Sequence, residues 1–431
     1  MNTRASEHGA SSVDQRKGYF NSPWPGEDGG PQRLQIPRGI RGPNIQPGEQ
    51  LISNSRRLMS GNMVVLREPG EVYLMTIAMF RNRLLGLSAL SRIEKIDPVT
   101  LKTIARSPRL KAGGMWPGGF AVHRNGDLYV TYGSYCHRLD PNCQRVSSYR
   151  LPRSEPYNSL VILDNGYLVM KQLSDASNAV LSILDPDTLQ PVCESVETPE
   201  PSISRLSSKG NTVYVTGTKS IFRYRWNDEI GKAELDKEWN FDYIRGTQQS
   251  YGWDPVISGN NVWFMDNGKH RYHVSMINAG VRSTPVNAIR VSLEDAGCHT
   301  IIPVTGMTKG SITNPPLYCP RKKILVAYDS ANSVICGFEY DEASGVLSKM
   351  WQKTAFGCGG HMIYYQDTGE VVTNDYRRFS DSCVVLDIES GTEKGRATLS
   401  SLSQGVVFSS PGWARDFYYL TFSSISRVEV R

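Results

Sequence analysis

The stretch that decides the fold is Gly119-Phe-Ala-Val-His-Arg-Asn-Gly-Asp-Leu-Tyr-Val-Thr-Tyr132, in which an Asn-Gly pair separates two short apolar runs. Turns of this kind join neighbouring antiparallel strands. The same plan returns as Ser159-Leu-Val-Ile-Leu-Asp-Asn-Gly-Tyr-Leu-Val-Met170. Both units continue to a third run that ends in Leu-Asp-Pro, at residues 139–141 and 184–186. This repetition predicts a chain assembled from similar β-sheet units.

The unit recurs along the whole chain. The ends of its second strands are marked by Thr76, Thr131, Met170, Thr216, Met265, Tyr328, Thr373 and Thr421. Spacings of about 40 to 60 residues are typical of four-stranded propeller blades. The last unit, Gln404 to Arg431, has room for only about three strands, so we expect the segment before Ser60 to supply the fourth and close the ring. The sequence therefore predicts an all-β fold, a β-propeller over residues 46–431, with eight blades favoured over seven. A pair of β-sandwiches is the alternative.

Three kinds of segment fall outside this pattern. Residues 1–45 are rich in Gly, Pro and Arg, which predicts an extended or disordered N-terminal arm. Unit one carries an insertion at residues 78–91, and unit five carries two, at 269–283 and 294–300. Long connections on a rigid scaffold tend to build or cover a binding face.

Composition excludes several classes of protein. The 431 residues carry a net charge of +6, with 48 basic and 42 acidic residues. The basic residues form no concentrated run, so we expect no specific nucleic-acid partner. No apolar run approaches the roughly 18 residues of a membrane helix, so we expect no membrane span. The cysteines lack CxxC pairs and the N-terminus lacks a signal peptide, which favours reduced thiols and a cytoplasmic location. Oligomeric state is not predicted.

Residues 312–398 contain the most characteristic pattern. They read Ile312-Thr-Asn-Pro-Pro, then Ile324-Leu-Val-Ala-Tyr-Asp-Ser-Ala-Asn-Ser, and in the next unit Gly359-Gly-His-Met and Glu370-Val-Val-Thr-Asn-Asp-Tyr. This pattern resembles the SMP-30/gluconolactonase and YVTN-type propellers. The resemblance implies lactonase-type chemistry and a divalent metal in the axial channel, with calcium favoured. The chain departs from that family in its blade count and in Pro315, where Gly is usual.

The resemblance also implies metal ligands in this chain. Asn314 matches the Asn at a strand start, and Asp329 matches the Asp at a strand end. Asp266 and Asp375 occupy the corresponding strand-end positions of neighbouring blades, and His361 replaces Asn in the last full blade.

The residues also indicate a polar site independently of the family resemblance. Polar side chains at strand ends converge around a propeller axis, and here they are Asp254, Asp266, Asn267, Asn314, Asp329, His361, Asn374 and Asp375. Carboxylates crowded together repel one another unless a cation compensates them. Oxygen ligands suit calcium or magnesium better than zinc. The alternative is that each Asp caps its own turn.

Nearby residues complete a hypothetical active site. We expect His361 and His270 to move protons, because imidazole titrates close to neutral pH. The substrate-binding candidates are Trp253, Asp254, Asn267, Lys269, Tyr376 and Arg377. Aromatic rings suit a sugar or another flat ligand, and the cations suit a carboxylate or sulfate. The alternative is that these side chains serve packing or the solvated surface. Nucleophile-elbow, phosphate-loop, dinucleotide-binding and HExxH motifs are absent.

Three functions remain open from the sequence. The favoured one is a small-molecule enzyme, a metal-assisted hydrolase or lyase acting on a lactone, ester or sugar-derived substrate, in which the metal polarises a substrate oxygen. The second is a non-catalytic scaffold for a protein or carbohydrate partner. The third is a quinoprotein-like dehydrogenase. A bound metal and a closed polar pocket would favour the enzyme, whereas a capped channel with an exposed apolar patch would favour the scaffold.

Overall fold

A computed structural model of the chain describes residues 16–58, 60–77, 89–113 and 118–431. These residues form eight antiparallel sheets arranged in a ring, which is the architecture of an eight-bladed β-propeller. The prediction of four-stranded blades, eight rather than seven, is confirmed. Residues 1–15 and most of the predicted insertion at 78–91 lie outside the described residues.

The first four blades follow one another along the chain. Blade 1 contains β2 (Gly61–Leu66), β3 (Val72–Ile77), β4 (Ala89–Ile96) and β5 (Thr103–Arg106), with β6 (Leu110–Gly113) paired to β4. Blade 2 contains β7 (Gly119–Val122), β8 (Leu128–Tyr132), β9 (Tyr135–Leu139) and β10 (Arg145–Arg150). Blade 3 contains β11 (Tyr157–Ile162), β12 (Leu168–Gln172), β13 (Val180–Leu184) and β14 (Val196–Glu197). Blade 4 contains β15 (Ser207–Lys209), β16 (Thr212–Thr216), β17 (Ser220–Asn227) and β18 (Lys232–Asp242).

The last four blades complete the ring. Blade 5 contains β19 (Val256–Ser258), β20 (Asn261–Met265), β21 (Asn287–Ser292) and β22 (His299–Pro303). Blade 6 contains β23 (Leu317–Cys319), β24 (Ile324–Asp329), β25 (Val334–Asp341) and β26 (Val346–Thr354). Blade 7 contains β27 (Ile363–Tyr365), β28 (Glu370–Asn374), β29 (Ser382–Asp387) and β30 (Glu393–Thr398). Blade 8 contains β31 (Ser410–Pro411), β32 (Asp416–Leu420), β33 (Ser424–Val430) and β1 (Leu51–Arg57).

Burial explains the sequence pattern of each blade. The inner strands are buried on both faces because neighbouring blades pack against them, so β24 is a continuous buried run. The outermost strands face solvent, and β10 is half-buried or exposed throughout. Gly126 and Gly166 adopt φ of 91° and 101° in the turns after β7 and β11. Tight hairpins require such left-handed residues, which is why Asn-Gly marked these turns in the sequence.

The ring closes as expected. Strand β1 pairs antiparallel with β33, from Leu51 opposite Val430 to Arg57 opposite Ser424. A parallel bridge between Met63 and Phe408 joins the inner strands of blades 1 and 8. Because the first and last blades are joined in this way, the closure leaves no sheet edge open between them.

The segment from residue 16 to residue 50 contributes no strand to any blade. It contains a single 3-10 turn, Glu27–Gly29, and lies against the inner strands of the ring. Within the described parts of the chain, no helix is long and apolar enough to cross a membrane.

Candidate functional site

The predicted site residues share one end of the ring. We call it the loop end; it carries the connections between blades and those between second and third strands. Asp266, Asp329 and Asp375 stand at the ends of the second strands of blades 5, 6 and 7. Asp254, Asn314 and His361 precede the first strands of the same blades. The opposite end, which we call the hairpin end, carries the turns between first and second and between third and fourth strands.

Each predicted metal-binding carboxylate is hydrogen-bonded locally. The Asp266 carboxylate accepts from the backbone N and Nδ2 of Asn287, both at 2.7 Å. The Asp329 carboxylate accepts from Asn332 Nδ2 at 2.7 Å and, like a turn cap, from the Asn332 backbone at 3.2 Å. The carboxylate oxygens of these two residues therefore face protein donors of their own neighbourhood.

Asp375 is surrounded by cations. Its carboxylate accepts from the Gly357 backbone N at 2.8 Å, and it lies 2.7 Å from Arg377 and 2.9 Å from Arg396. Asn314 instead donates through Nδ2 to the carbonyl of Gly359 at 2.6 Å.

The predicted metal site has four ligands, Asp266, Asn314, Asp329 and Asp375. In the described ranges, no group of three or more His, Cys, Asp or Glu side chains is placed to hold a metal ion. The carboxylates of Asp266, Asp329 and Asp375 accept the hydrogen bonds given above, whereas Asn314 donates one. The calcium site stays a prediction, and metal analysis of the protein is its test.

Two buried carboxyl groups at the loop end have raised pKa values. Burial raises the pKa of Asp266 to about 7, against the hydrogen bonds from Asn287 and Gln249. Burial likewise raises the pKa of Asp381 to about 7, although Gly405 and Asn374 donate to its carboxylate. Such shifts are common at functional sites, but buried structural groups also show them.

The axis of the ring is filled by a stack of side chains. The His361 imidazole lies against the Phe408 ring, with ring centroids 3.8 Å apart. The Arg205 guanidinium lies over the same Phe408 ring at 4.6 Å from its centroid. All three residues are buried, and Asp254 accepts from the Arg205 backbone N at 2.6 Å. The predicted catalytic His361 is therefore part of a packed layer.

The N-terminal segment supplies the charges that face this stack. His361 Nδ1 lies 2.7 Å from the Asp28 carboxylate, and Arg33 lies 3.0 Å from the same carboxylate. Arg33 also pairs with Glu27, which lies 3.2 Å from Arg205. Burial raises the pKa of Asp28, but His361 and Arg33 outweigh burial and hold it below its ordinary value. The Asp28 carboxylate is therefore ionised at neutral pH.

Backbone hydrogen bonds hold this segment against the ring. The carbonyls of Trp24, Pro25, Pro31, Gln32 and Gln35 accept from inner-strand amides of blades 1, 2, 4, 5 and 7, at 2.7 to 2.9 Å. Side chains of the segment also reach blades 3 and 6. The Tyr19 hydroxyl accepts from the Ile162 amide of blade 3, and Gln35 Nε2 donates to the Pro316 carbonyl beside blade 6. The segment thus spans the hairpin end of the channel.

Sequence reasoning missed Glu27, Asp28, Arg33 and Arg205. The Gly and Pro content of this segment predicts an extended or disordered arm. In the structure, the same residues form an irregular backbone that lies along the inner strands. One signal is present in the sequence: Trp24 is a large apolar residue within the predicted arm, and it is buried.

The blade 5 connection covers the loop end. Residues 266–286 extend from blade 5 toward blade 8, where the Tyr272 hydroxyl donates to the Gln404 carbonyl at 3.0 Å. The Met276 amide donates to Gln404 Oε1 at 2.6 Å, and the Tyr272 ring meets Phe422 edge-on at 5.9 Å. The predicted insertion at 269–283 therefore does cover this end of the ring.

The predicted substrate-binding residues divide into buried and exposed groups. Buried members are Trp253, Asp254, Asn267 and Tyr376. His270 lies edge-on to Trp253 at 6.2 Å, and burial lowers its pKa. Lys269 and Arg377 are exposed, and Lys269 lies 3.8 Å from the exposed Asp175. The structure therefore brings Trp253 and His270 together. Of the predicted substrate-binding residues, Lys269 and Arg377 are the exposed ones.

Charge and apolar surface are concentrated on the loops of blades 5 to 8. The half-buried or exposed cations there are Lys269, Arg271, Arg282, Lys309, Arg377 and Arg378. The acidic residues of the same loops, Asp266, Asp375 and Asp381, are buried, as is Asp329 at the end of β24. Exposed apolar side chains in these loops are Val274, Met307, Phe379 and Leu402. We call these ten exposed or half-buried residues the basic-apolar patch.

Comparisons with known proteins agree with the architecture. No family model matches the chain, and no curated protein matches it. Among solved structures, BamB from Moraxella catarrhalis matches over 79% of this chain and 93% of its own, with a TM-score of 0.51 and 12% identity. The chain is a β-propeller.

Two further structures resemble this propeller. Virginiamycin B lyase from Staphylococcus aureus matches over 88% of this chain and 99% of its own, with a TM-score of 0.45 and 10% identity. The WD40 domain of Neurospora crassa Pan2 matches over 73% and 86%, with a TM-score of 0.46 and 10% identity. The likeness to BamB, at 12% identity, shows the fold alone, because propellers carry many unrelated functions. It does not single out the SMP-30/gluconolactonase family.

Proposed function

We propose that this protein is a non-catalytic binding scaffold that presents its loop end to an acidic partner. The observation that carries the proposal is the filled axis, where Arg33, Arg205 and His361 are packed with Glu27 and Asp28. Ligand sites of β-barrel and propeller folds favour the central mouth. With that mouth occupied by the chain itself, the surface offered to a partner is the outer surface of the loops.

Charge supports an acidic partner. In the blade 5 to 8 loops the cations face solvent, whereas the carboxyl groups are buried. The turns between third and fourth strands at the hairpin end carry acidic residues instead, among them Asp97, Asp187, Asp228, Asp295 and Glu389. The blade 5 to 8 part of the loop end therefore presents positive charge to solvent and attracts anionic surfaces.

The test is fluorescence anisotropy with a labelled acidic peptide of Glu and Ser residues, at low and at raised salt. We expect binding that weakens with salt, since the contacts are exposed charges. Lys309→Glu combined with Arg378→Glu should weaken binding by about tenfold or more, a change of about 1.4 kcal/mol or more. The matched control is Lys323→Glu, because Lys323 is exposed at the hairpin end, where it pairs with Glu342. Binding that the loop-end variants do not change would contradict the proposal.

A metal-assisted hydrolase or lyase is the second candidate. The observation in its favour is the pKa of Asp266, raised by burial to about 7, in the blade that also carries His270. Such a carboxyl group could exchange protons near neutral pH. Its test is elemental analysis of the purified protein, followed by lactone and ester turnover before and after chelation. Stoichiometric metal, with turnover that chelation abolishes, would favour this candidate over the scaffold.

A further inference from the structure

One turn of the basic-apolar patch has an unusual backbone. Arg377 and Ser380 pair through both backbone hydrogen bonds, at 2.8 and 2.9 Å, which leaves Arg378 and Phe379 as a two-residue hairpin loop. Both loop residues have positive φ, 48° and 63°. This geometry is the one for which Asn-Gly is preferred, and bulky side chains are disfavoured in it.

The turn places a large aromatic side chain in solvent. Phe379 is 69% exposed, although burial of an aromatic ring is normally a principal source of stability. Neither the backbone conformation of Phe379 nor the exposure of its ring contributes to the stability of the folded chain. A disfavoured backbone maintained by its surroundings is often found at binding sites.

A second apolar side chain lies on the adjoining loop. Leu402 is 75% exposed, and its carbonyl accepts from the Tyr376 hydroxyl at 2.8 Å, which ties this loop to the hairpin that carries Phe379. The blade 5 connection is tied to the Leu402 loop, because the Gln404 amide donates to the carbonyl of the exposed Val274 at 2.9 Å. Three exposed apolar side chains therefore stand on loops that hydrogen bonds hold together.

Cations surround these apolar side chains. Arg377 and Arg378 belong to the same turn as Phe379, and Arg271 is three residues from Val274. The acids nearest in sequence to the turn, Asp375 and Asp381, are buried. Arg377 pairs with Asp375 at 2.7 Å. A partner for this surface therefore needs negative charge to meet Arg271 and Arg378, and apolar side chains to cover the ring of Phe379. Aromatic and arginine side chains are also the residues that most often dominate binding energy.

We propose that Phe379 and Leu402 are the anchors of a docking site for an acidic protein segment that carries apolar residues. This inference rests on the proposed scaffold function and names the part of the loop end that selects the partner. The arginines attract the segment, and the apolar contacts determine its dissociation rate. A nucleic acid would satisfy the arginines but would offer less apolar surface to Phe379 and Leu402.

The experiment compares two labelled acidic peptides of equal charge. In one, Glu alternates with Leu and Phe; in the other, Ser replaces the apolar residues. We expect the apolar peptide to bind about tenfold or more tightly than the Ser peptide, since burial of one large apolar side chain supplies that much. Phe379→Asn and Leu402→Ser should each reduce this preference, and together they should abolish it.

The variants keep the fold intact. Asn accepts positive φ readily, so Phe379→Asn removes the ring and relieves the turn. The matched control is Ile230→Asn, because Ile230 is 53% exposed in a turn at the hairpin end. That substitution should leave the binding of both peptides unchanged.

The outcomes separate the two proposals. If both peptides bind equally and Phe379→Asn changes nothing, the anchors are wrong while an acidic partner stands. If neither peptide binds at low salt, the proposed acidic-partner scaffold itself is wrong. If a single-stranded oligonucleotide of equal charge binds more tightly than either peptide, the class of partner is wrong.

Discussion

Replacing Arg33 by Met should loosen the segment that fills the axis. Arg33 is 1% exposed, pairs with Glu27 and Asp28, and donates to the Leu206 carbonyl at 2.8 Å. Met fills much of the same volume but leaves both carboxylates buried with one cationic partner fewer. Removing one partner of a buried ion pair costs about 3–5 kcal/mol. That is a large share of a typical free energy of unfolding of about 5–15 kcal/mol.

Hydrogen exchange measures this loosening directly. The amides of Ser208, Ile257 and Tyr364 donate to carbonyls of the segment, so their exchange reports its release. A loss of about 3–5 kcal/mol corresponds to exchange faster by a factor of about 100 or more, if the segment opens locally. Urea unfolding of the same variant gives the global loss.

Two further variants make the result decisive. Arg321→Met is the control, because Arg321 and Asp367 form an ion pair at 3.4 Å with both side chains more than 60% exposed. Such pairs contribute about 0–1 kcal/mol. Adding Glu27→Gln to Arg33→Met removes one stranded charge and should recover part of the loss. If Arg33→Met cost no more than Arg321→Met and left the three amides unchanged, the proposed role of the axial charges would be refuted.

Four other predictions test the fold and its buried charges. Burial raises the pKa of Asp381 to about 7, so the native protein keeps a proton that the unfolded chain releases near the ordinary value of 3.8. The free energy of unfolding should therefore fall as pH rises from about 4 to 7. In urea titrations at several pH values, Asp381→Asn should flatten that slope. Burial lowers the pKa of Lys171 to about 7, so the unfolded chain binds a proton that the native protein releases between pH 7 and the ordinary lysine value of 10.5. The free energy of unfolding should therefore rise over this pH range. If its dependence on pH were the same in Lys171→Met, the prediction would be contradicted. Deleting residues 1–58 removes β1, leaves β33 as an open edge, and should give aggregates in size-exclusion chromatography. Gly118→Ala would place a Cβ 1.4 Å from the Thr131 carbonyl oxygen and should abolish soluble expression, whereas Gly246→Ala, with open space around its Cβ and no left-handed φ, should be expressed.

Most of the fold could be predicted because it depends on local pattern. The Asn-Gly turns at residues 125–126 and 165–166 form the expected hairpins, since the last residue of each three-residue loop has positive φ and therefore favours Gly. Ring closure could also be inferred, because the last unit, from Gln404, lacked a strand that only the N-terminal segment could supply. The repeat also predicted that Asp266, Asp329 and Asp375 lie at the same end of the ring.

The contacts of those residues could not be predicted in the same way. Each Asp was consistent with a metal ligand and with a turn cap, and which neighbour meets its oxygens depends on side chains from other strands. For Asp266 these are Gln249 and Asn287, and for Asp375 they include Arg396. The pairing of strands within a blade brings Asn287 to Asp266 and Arg396 to Asp375.

The sequence by itself determined the number of blades, the order of strands and the end of the ring at which polar residues gather. All three depend on short-range periodicity and turn chemistry, which neighbouring residues in the chain impose. The tertiary structure decided what occupies the axis. Asp28 and His361 meet at 2.7 Å although 333 residues separate them. No local pattern encodes that contact, because it forms only when eight blades close around the N-terminal segment.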